Sequence, residues 1–203
     1  AMDIGTAFGT LGARRDMMIG FLAEPALLMV IFVASLLSAT TALPLIAERL
    51  VVQPLALYPS LAFTAVAFTM VLLAENARIP VDNPATHLEL TMIHEAMLLE
   101  YSARHLALME WAAALKLFNY ACIGFALFVP WGASIGSTGI GAMALSLPAL
   151  LVKLAVAGLW LALLETVSAK LRVFRAPEFM ATAFMFAVLG LLVHMLLGAC
   201  GMQ

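Results

Sequence analysis

The chain has 203 residues, 65% of them hydrophobic and 11% charged, with a mean hydropathy of +1.07 and a formal net charge of −2. Soluble domains run at about 45–50% apolar and about 25% charged, so this composition belongs to a membrane protein and excludes secreted, collagenous and disordered classes. Ten Lys+Arg against twelve Asp+Glu leave no basic patch for nucleic acid and no acidic tail.

Residues 1–24 read as an amphipathic flank on the cytoplasmic side. The first residues, Ala1-Met2-Asp3-Ile4-Gly5, lack the basic start and apolar stretch expected of a secretory signal. Gly5, Gly9 and Gly12, like Gly136, Gly139 and Gly141, are not followed by Gly-Lys-Ser/Thr, so they fit turns or close helix packing and not a phosphate loop. A helical membrane domain fills 25–203. Lipid leaves backbone polar groups no partner outside their own segment, and a helix needs about 20 apolar residues to span. Five runs qualify: Pro25–Leu43, Pro54–Ala74, Leu106–Trp131, Ala142–Leu164 and Phe179–Ala199. Pro25 and its missing N–H suit a first helical turn. Cys122 and Cys200 lie apart inside apolar runs without a C-x-x-C pair, so the chain is expected to ligate neither zinc nor an iron–sulfur cluster.

The longest polar stretch, 75–105, separates the second and third runs. It opens with breakers from Ile79 to Pro84 and becomes helix-prone after Ala85. Glu89 and Glu100, eleven residues apart, fall on nearly one helical face, and Glu100 and Arg104 are spaced to pair. His94-Glu95 starts like a zinc-binding H-E-x-x-H, but position 98 is leucine. No metal site is expected.

Ionisable groups inside spans cost roughly 2.5–3.5 kcal/mol each by insertion scales and usually face a bundle interior or a wet cavity. Glu110, Lys116 and Lys153 fall within runs, and Glu24, Glu75 and Glu165 at run ends. Glu75, Glu110, Lys116 and Lys153 are therefore candidates for an ion path, with interfacial solvation or simple pairing as the plainer reading. Seven of the ten basic residues fall on one side of a five-span arrangement and only Arg49 on the other. By the positive-inside rule, 75–105 and 165–178 face the cytoplasm.

The run from Glu75 to Asp82 (ENARIPVD), then His87 to Thr91 (HLELT) and Glu100 to Ser102 (EYS), resembles the membrane subunit that docks the hydrophilic arm of respiratory complex I. The stretch 83–97 (NPATHLELTMIHEAM), the glycines and paired arginines of 3–18, and 170–178 (KLRVFRAPE) are more similar to its counterpart in formate hydrogenlyase and other energy-converting membrane-bound NiFe hydrogenases. The resemblance implies an eight-helix, all-α polytopic fold of which the last five helices are visible here. It implies a non-catalytic inner-membrane subunit that anchors hydrogenase large and small (iron–sulfur) subunits beside antiporter-like membrane subunits. Such a subunit couples electron transfer or hydrogen evolution to proton or sodium movement. It also implies that the NiFe centre and 4Fe-4S clusters belong to partners, with no cofactor in this chain. The family's acidic positions fall on Glu75, Asp82, Glu89, Glu100 and Glu110. Asp82, Glu89, Glu95, Glu100, Arg104, Arg172 and Arg175 become candidates for the docking surface or the cavity beneath it. The sequence departs from complex I where Ala85-Thr86-His87-Leu88 replaces an acid-rich run and where Ala176-Pro177-Glu178 occupies a loop, which favours the hydrogenase branch. A complex I subunit contributing to a quinone site, and a passive anchor whose charges only pair, stay open as alternatives.

Overall fold

Apolar side chains surround most of the helices on every side, the pattern of helices immersed in a bundle or in lipid. The computed structural model describes residues 7–52, 59–78, 81, 93–98, 101–132, 140–167 and 175–200. It contains α1 (Ala7–Ser38), α2 (Leu43–Val52), α3 (Pro59–Glu75), α4 (His94–Leu98), α5 (Ala103–Phe128), α6 (Ile140–Val167) and α7 (Ala176–Cys200), with no strand among the described residues. The protein is an all-α polytopic membrane protein. By length and composition α1, α5, α6 and α7 can each cross a membrane, and α3 is a shorter apolar helix of 17 residues.

Several boundaries differ from the sequence expectation. α1 begins at Ala7 and runs through Pro25 without a break, so the expected flank and the first span are one helix. Pro25 sits inside it, where it removes one hydrogen bond but does not end the helix. Pro148 is tolerated inside α6 in the same way. The first span stops at Ser38, and Leu43 opens a separate helix, α2, that the hydropathy runs do not reveal. Pro59 is the first residue of α3, where its fixed φ is already helical.

α1, α3 and α7 form the core, with α3 antiparallel to both. Ala23, Ala26, Val71, Ala74, Met180 and Ala183 are buried toward one end, and Val30, Val33, Leu61, Phe68 and Ala187 toward the other. Small side chains let these backbones approach closely. At Gly190 of α7 a Cβ would lie 2.8 Å from Thr64 Cγ2 and 3.1 Å from the Ser60 carbonyl oxygen of α3. The end that carries Glu75 is called the near end, and the end that carries Ser38 and Val129 the far end.

The remaining helices attach around this core. α2 covers the far end: Ile46 and Leu50 are buried beside Leu37 and Leu127, and the Arg49 guanidinium donates to the Ser38 carbonyl at the end of α1. α4 docks at the near end on α1, where a Cβ on Gly12 would meet the Ile93 carbonyl oxygen at 2.8 Å. α5 packs through Tyr120 and Phe128 on Phe68, with ring centroids 6.3 and 5.5 Å apart. α6 lies at the edge and leaves Leu151, Leu159 and Trp160 exposed.

Candidate functional site

α3 ends in a tight cap that presents charge. Ala77 takes a left-handed φ of 50°, its N–H donates to the Ala74 carbonyl, and the Arg78 N–H donates to the Leu73 carbonyl. This is a Schellman closure with alanine in the place usually held by glycine. It reverses the chain immediately after Glu75 and sets Glu75, Asn76 and Arg78 at the near end of the core.

Two ion pairs radiate from this cap. Glu75 Oε2 lies 2.6 Å from Lys116 Nζ of α5, and Arg78 Nη1 lies 3.6 Å from Glu165 Oε1 of α6. The Glu75 side chain is 13% exposed and that of Lys116 44%. Gly20 of α1 lies beside the same carboxylate, its would-be Cβ 3.8 Å from Glu75 Oε1. Four helices thus meet at one depth. From that depth α1 continues to Ala7 and α5 to Ala103, in each case about 20 Å further at 1.5 Å per residue. These two extensions and α4 form a collar beyond the core.

A pocket of about 160 Å³ opens inside the collar. Asp16 of α1, Glu75 and Asn76 at the α3 cap, His94 of α4 and Lys116 of α5 line it. Asn76 Nδ2 donates to the Leu72 carbonyl at 2.8 Å, while its Oδ1 is buried and accepts no hydrogen bond among the described residues. A space of this volume has room for several waters at roughly 30 Å³ each, with charged groups in a wall that Ala77, Met109, Ala112 and Ala113 complete. The arrangement can hold a hydrated path between two carboxylates, an ammonium and an imidazole.

The structure brings Glu75 and Lys116 together and separates the other two ion-path candidates from them. Glu110 is exposed on α5, outside the pocket lining, and pairs with no described residue. Lys153 is at the far end, where its Nζ donates to the Val129 carbonyl at 2.6 Å and sits 6.0 Å from the centroid of the Phe125 ring. Arg104 and Arg175 are exposed at the near-end starts of α5 and α7. Asp82, Glu89, Glu100 and Arg172 lie outside the described residues, and Glu95 is on α4 with its side chain outside the description. Among the described residues no cluster of three His, Cys, Asp or Glu could hold a metal ion.

Sequence reasoning does not single out Asp16, and it meets His94 only in an incomplete zinc motif. A signal for Asp16 does exist. Gly12, Asp16 and Gly20 recur every fourth residue of α1, so they share one face. Gly12 meets α4 and Gly20 meets Glu75, which leaves Asp16 between them, facing the pocket.

Residues 1–196 match the family described as NADH dehydrogenase. Two relatives come from Escherichia coli (strain K12). Formate hydrogenlyase subunit 4 is 31% identical over 188 residues, which cover 93% of this chain and 60% of that protein. Hydrogenase-4 component C is 33% identical over 131 residues, 64% of this chain and 40% of that protein. The chain therefore spans less than two thirds of the length of either relative.

Proposed function

This chain belongs to the NADH dehydrogenase family, and from that premise we propose that it is the membrane subunit of a hydrogenase complex in the bacterial inner membrane. In this reading it anchors hydrogenase large and iron–sulfur subunits on the near-end collar. It couples electron transfer or hydrogen evolution to proton or sodium translocation alongside antiporter-like subunits. The kinship to formate hydrogenlyase subunit 4 and hydrogenase-4 component C supports the choice of complex. The NiFe centre and 4Fe-4S clusters are assigned to the partners.

The observation that carries the coupling role is the pocket in which the Glu75–Lys116 pair meets Asp16, Asn76 and His94. An ion pair beside a hydrated polar space can exchange its partner for water. A change at the docked subunits that moves α4 or the collar would alter that exchange. The passive-anchor alternative rests on the same pair, because pairing by itself lowers the cost of an ionisable group at this depth.

Replacing Glu75 by Gln, and separately Lys116 by Met, in the assembled complex distinguishes the two. Hydrogen evolution and ion uptake are measured on the same inverted vesicles. The coupling role requires fewer ions moved per hydrogen formed in both variants while assembly is kept. A wild-type ratio in two assembled variants leaves the pair as a structural contact only.

A further inference from the structure

Hydropathy puts Glu24 at the end of an apolar run, but α1 continues unbroken through Pro25, so this carboxylate sits midway along a 32-residue helix. It pairs with no described cation. An ionisable group inside a span normally faces a partner or a wet space. Pro25 adds a second polar feature at this depth, because it has no N–H to donate to the Phe21 carbonyl.

The register of three helices brings Glu24 toward the polar pocket. Glu75 of α3 lies against Gly20 of α1 and pairs with Lys116 of α5. One turn further toward the far end, about 6 Å, the same two helix faces carry Glu24 and Tyr120. Helical side chains tilt toward the N-terminus of their helix. Those of α1 and α5 therefore lean back to the near end, whereas Glu75, on the antiparallel α3, leans to the far end. The tilt closes the gap in depth from both sides. The Tyr120 ring is located by Phe68, 6.3 Å away between centroids, and packs against both core clusters. Its hydroxyl gives its proton to no described residue. The charges of Glu75 and Glu24 both act on that hydroxyl. A phenol has a single O–H donor, so it serves one carboxylate at a time.

We propose that Tyr120 is a positioning residue of the coupling site, its one O–H shared between Glu75 and Glu24 so that the polar pocket and the mid-helix carboxylate act as a unit. The proposal rests on the coupling role given to the Glu75–Lys116 pair. In this arrangement one ammonium faces two carboxylates, and the phenol supplies the further donor. While Lys116 or a water satisfies Glu75, the O–H turns to Glu24. When Lys116 is drawn away, the O–H returns to Glu75. A tyrosine that only packed would do its work through the ring on Phe68, and its oxygen would be dispensable.

Tyr120→Phe removes the oxygen and keeps the ring. Ions moved per hydrogen formed are measured on inverted vesicles matched for assembled complex, beside wild type, Glu75→Gln and Glu24→Gln. Tyr120→Phe and Glu24→Gln are each expected to lose most of the ion uptake per hydrogen. Their double variant should lose no more than either alone, because both break the same link. A wild-type ratio in Tyr120→Phe with a lowered ratio in Glu75→Gln overturns the proposal and leaves the coupling role of the pair standing. Wild-type ratios in both overturn the proposal and the coupling role together. Losses that add in the double variant overturn the link between Tyr120 and Glu24. Glu24→Gln leaves the ring untouched, so a wild-type ratio in that variant overturns the proposal even if Tyr120→Phe assembles poorly.

Discussion

Glu75 and Asn76 are neighbours in sequence but satisfy their polar atoms in different ways. Glu75 is nearly enclosed and depends on Lys116, whereas Asn76 spends its amide N–H on the Leu72 carbonyl and its buried oxygen accepts no hydrogen bond among the described residues. Removing one member of a fully buried pair costs about 3–5 kcal/mol because the other charge is stranded. Lys116 is well exposed, so the cost should be smaller here. Lys116→Met and Glu75→Gln are each expected to destabilise the protein by about 1–3 kcal/mol, and the double variant by less than their sum. A thermal-unfolding double-mutant cycle in a defined detergent checks this. Additive effects would mean that the two groups do not act as a pair. Ala77 offers a test with the opposite sign. Its left-handed φ costs an L-residue roughly 1–2 kcal/mol, so Ala77→Gly should raise the melting temperature, with part of the gain offset by the greater freedom of glycine in the unfolded chain. A lower melting temperature would show that the cap does not carry this strain.

The same cap explains why some helix ends are hard to read from the sequence. α1 closes as α3 does: Ala39 has a φ of 48°, its N–H donates to the Leu36 carbonyl, and the Thr40 N–H donates to the Ser35 carbonyl. Glycine at that position marks a helix end in sequence, whereas alanine in an apolar run marks nothing. The apolar run therefore carries the first span through to Leu43 and hides α2 behind it. Pro25 misleads in the other direction, since a proline that reads as a helix start sits inside a long helix. The gross architecture is legible because it rests on apolar runs of about 20 residues, a signal set by membrane thickness. The site is legible only in part. Glu75 and Lys116 stand out as charges in or beside apolar runs, but Asp16 and His94 come from helices whose meeting depends on the Gly12 contact. Element packing therefore has its own test. Gly190→Leu should force α7 away from α3 at Ser60 and Thr64 and reduce the folded, assembled fraction, which size-exclusion chromatography measures. Gly158, with nothing near its Cβ position, should accept leucine without that loss. Equal behaviour of the two variants would remove the close α3–α7 approach as a cause of assembly.

At the scale of the whole molecule the charges are arranged by end. Arg14 and Arg15 lie in the α1 extension, Arg78 follows the α3 cap, and Arg104 and Arg175 begin or precede α5 and α7 at the near end. Arg49 sits at the far end and is engaged with the Ser38 carbonyl. Lysine and arginine near span ends favour the cytoplasmic side, so the collar and its pocket should face the cytoplasm, where soluble partner subunits could reach them. Cysteine labelling tests this once Cys122 and Cys200 have been replaced. His105, Thr41 and Glu178 are exposed positions, with His105 and Glu178 at the near end and Thr41 at the far end. Single cysteines at His105 and Glu178 should react with a membrane-impermeant maleimide in inverted vesicles stripped of soluble subunits, and a cysteine at Thr41 should react only in right-side-out preparations. Restoring the soluble subunits should protect His105, which projects from the collar, and leave Thr41 unchanged. Reaction of Thr41 and Glu178 from the same side would break the antiparallel arrangement of α1, α3 and α7. Reaction of His105 only from the outside would keep the fold but invert it, and the proposed docking of soluble subunits on a cytoplasmic collar would fail with it.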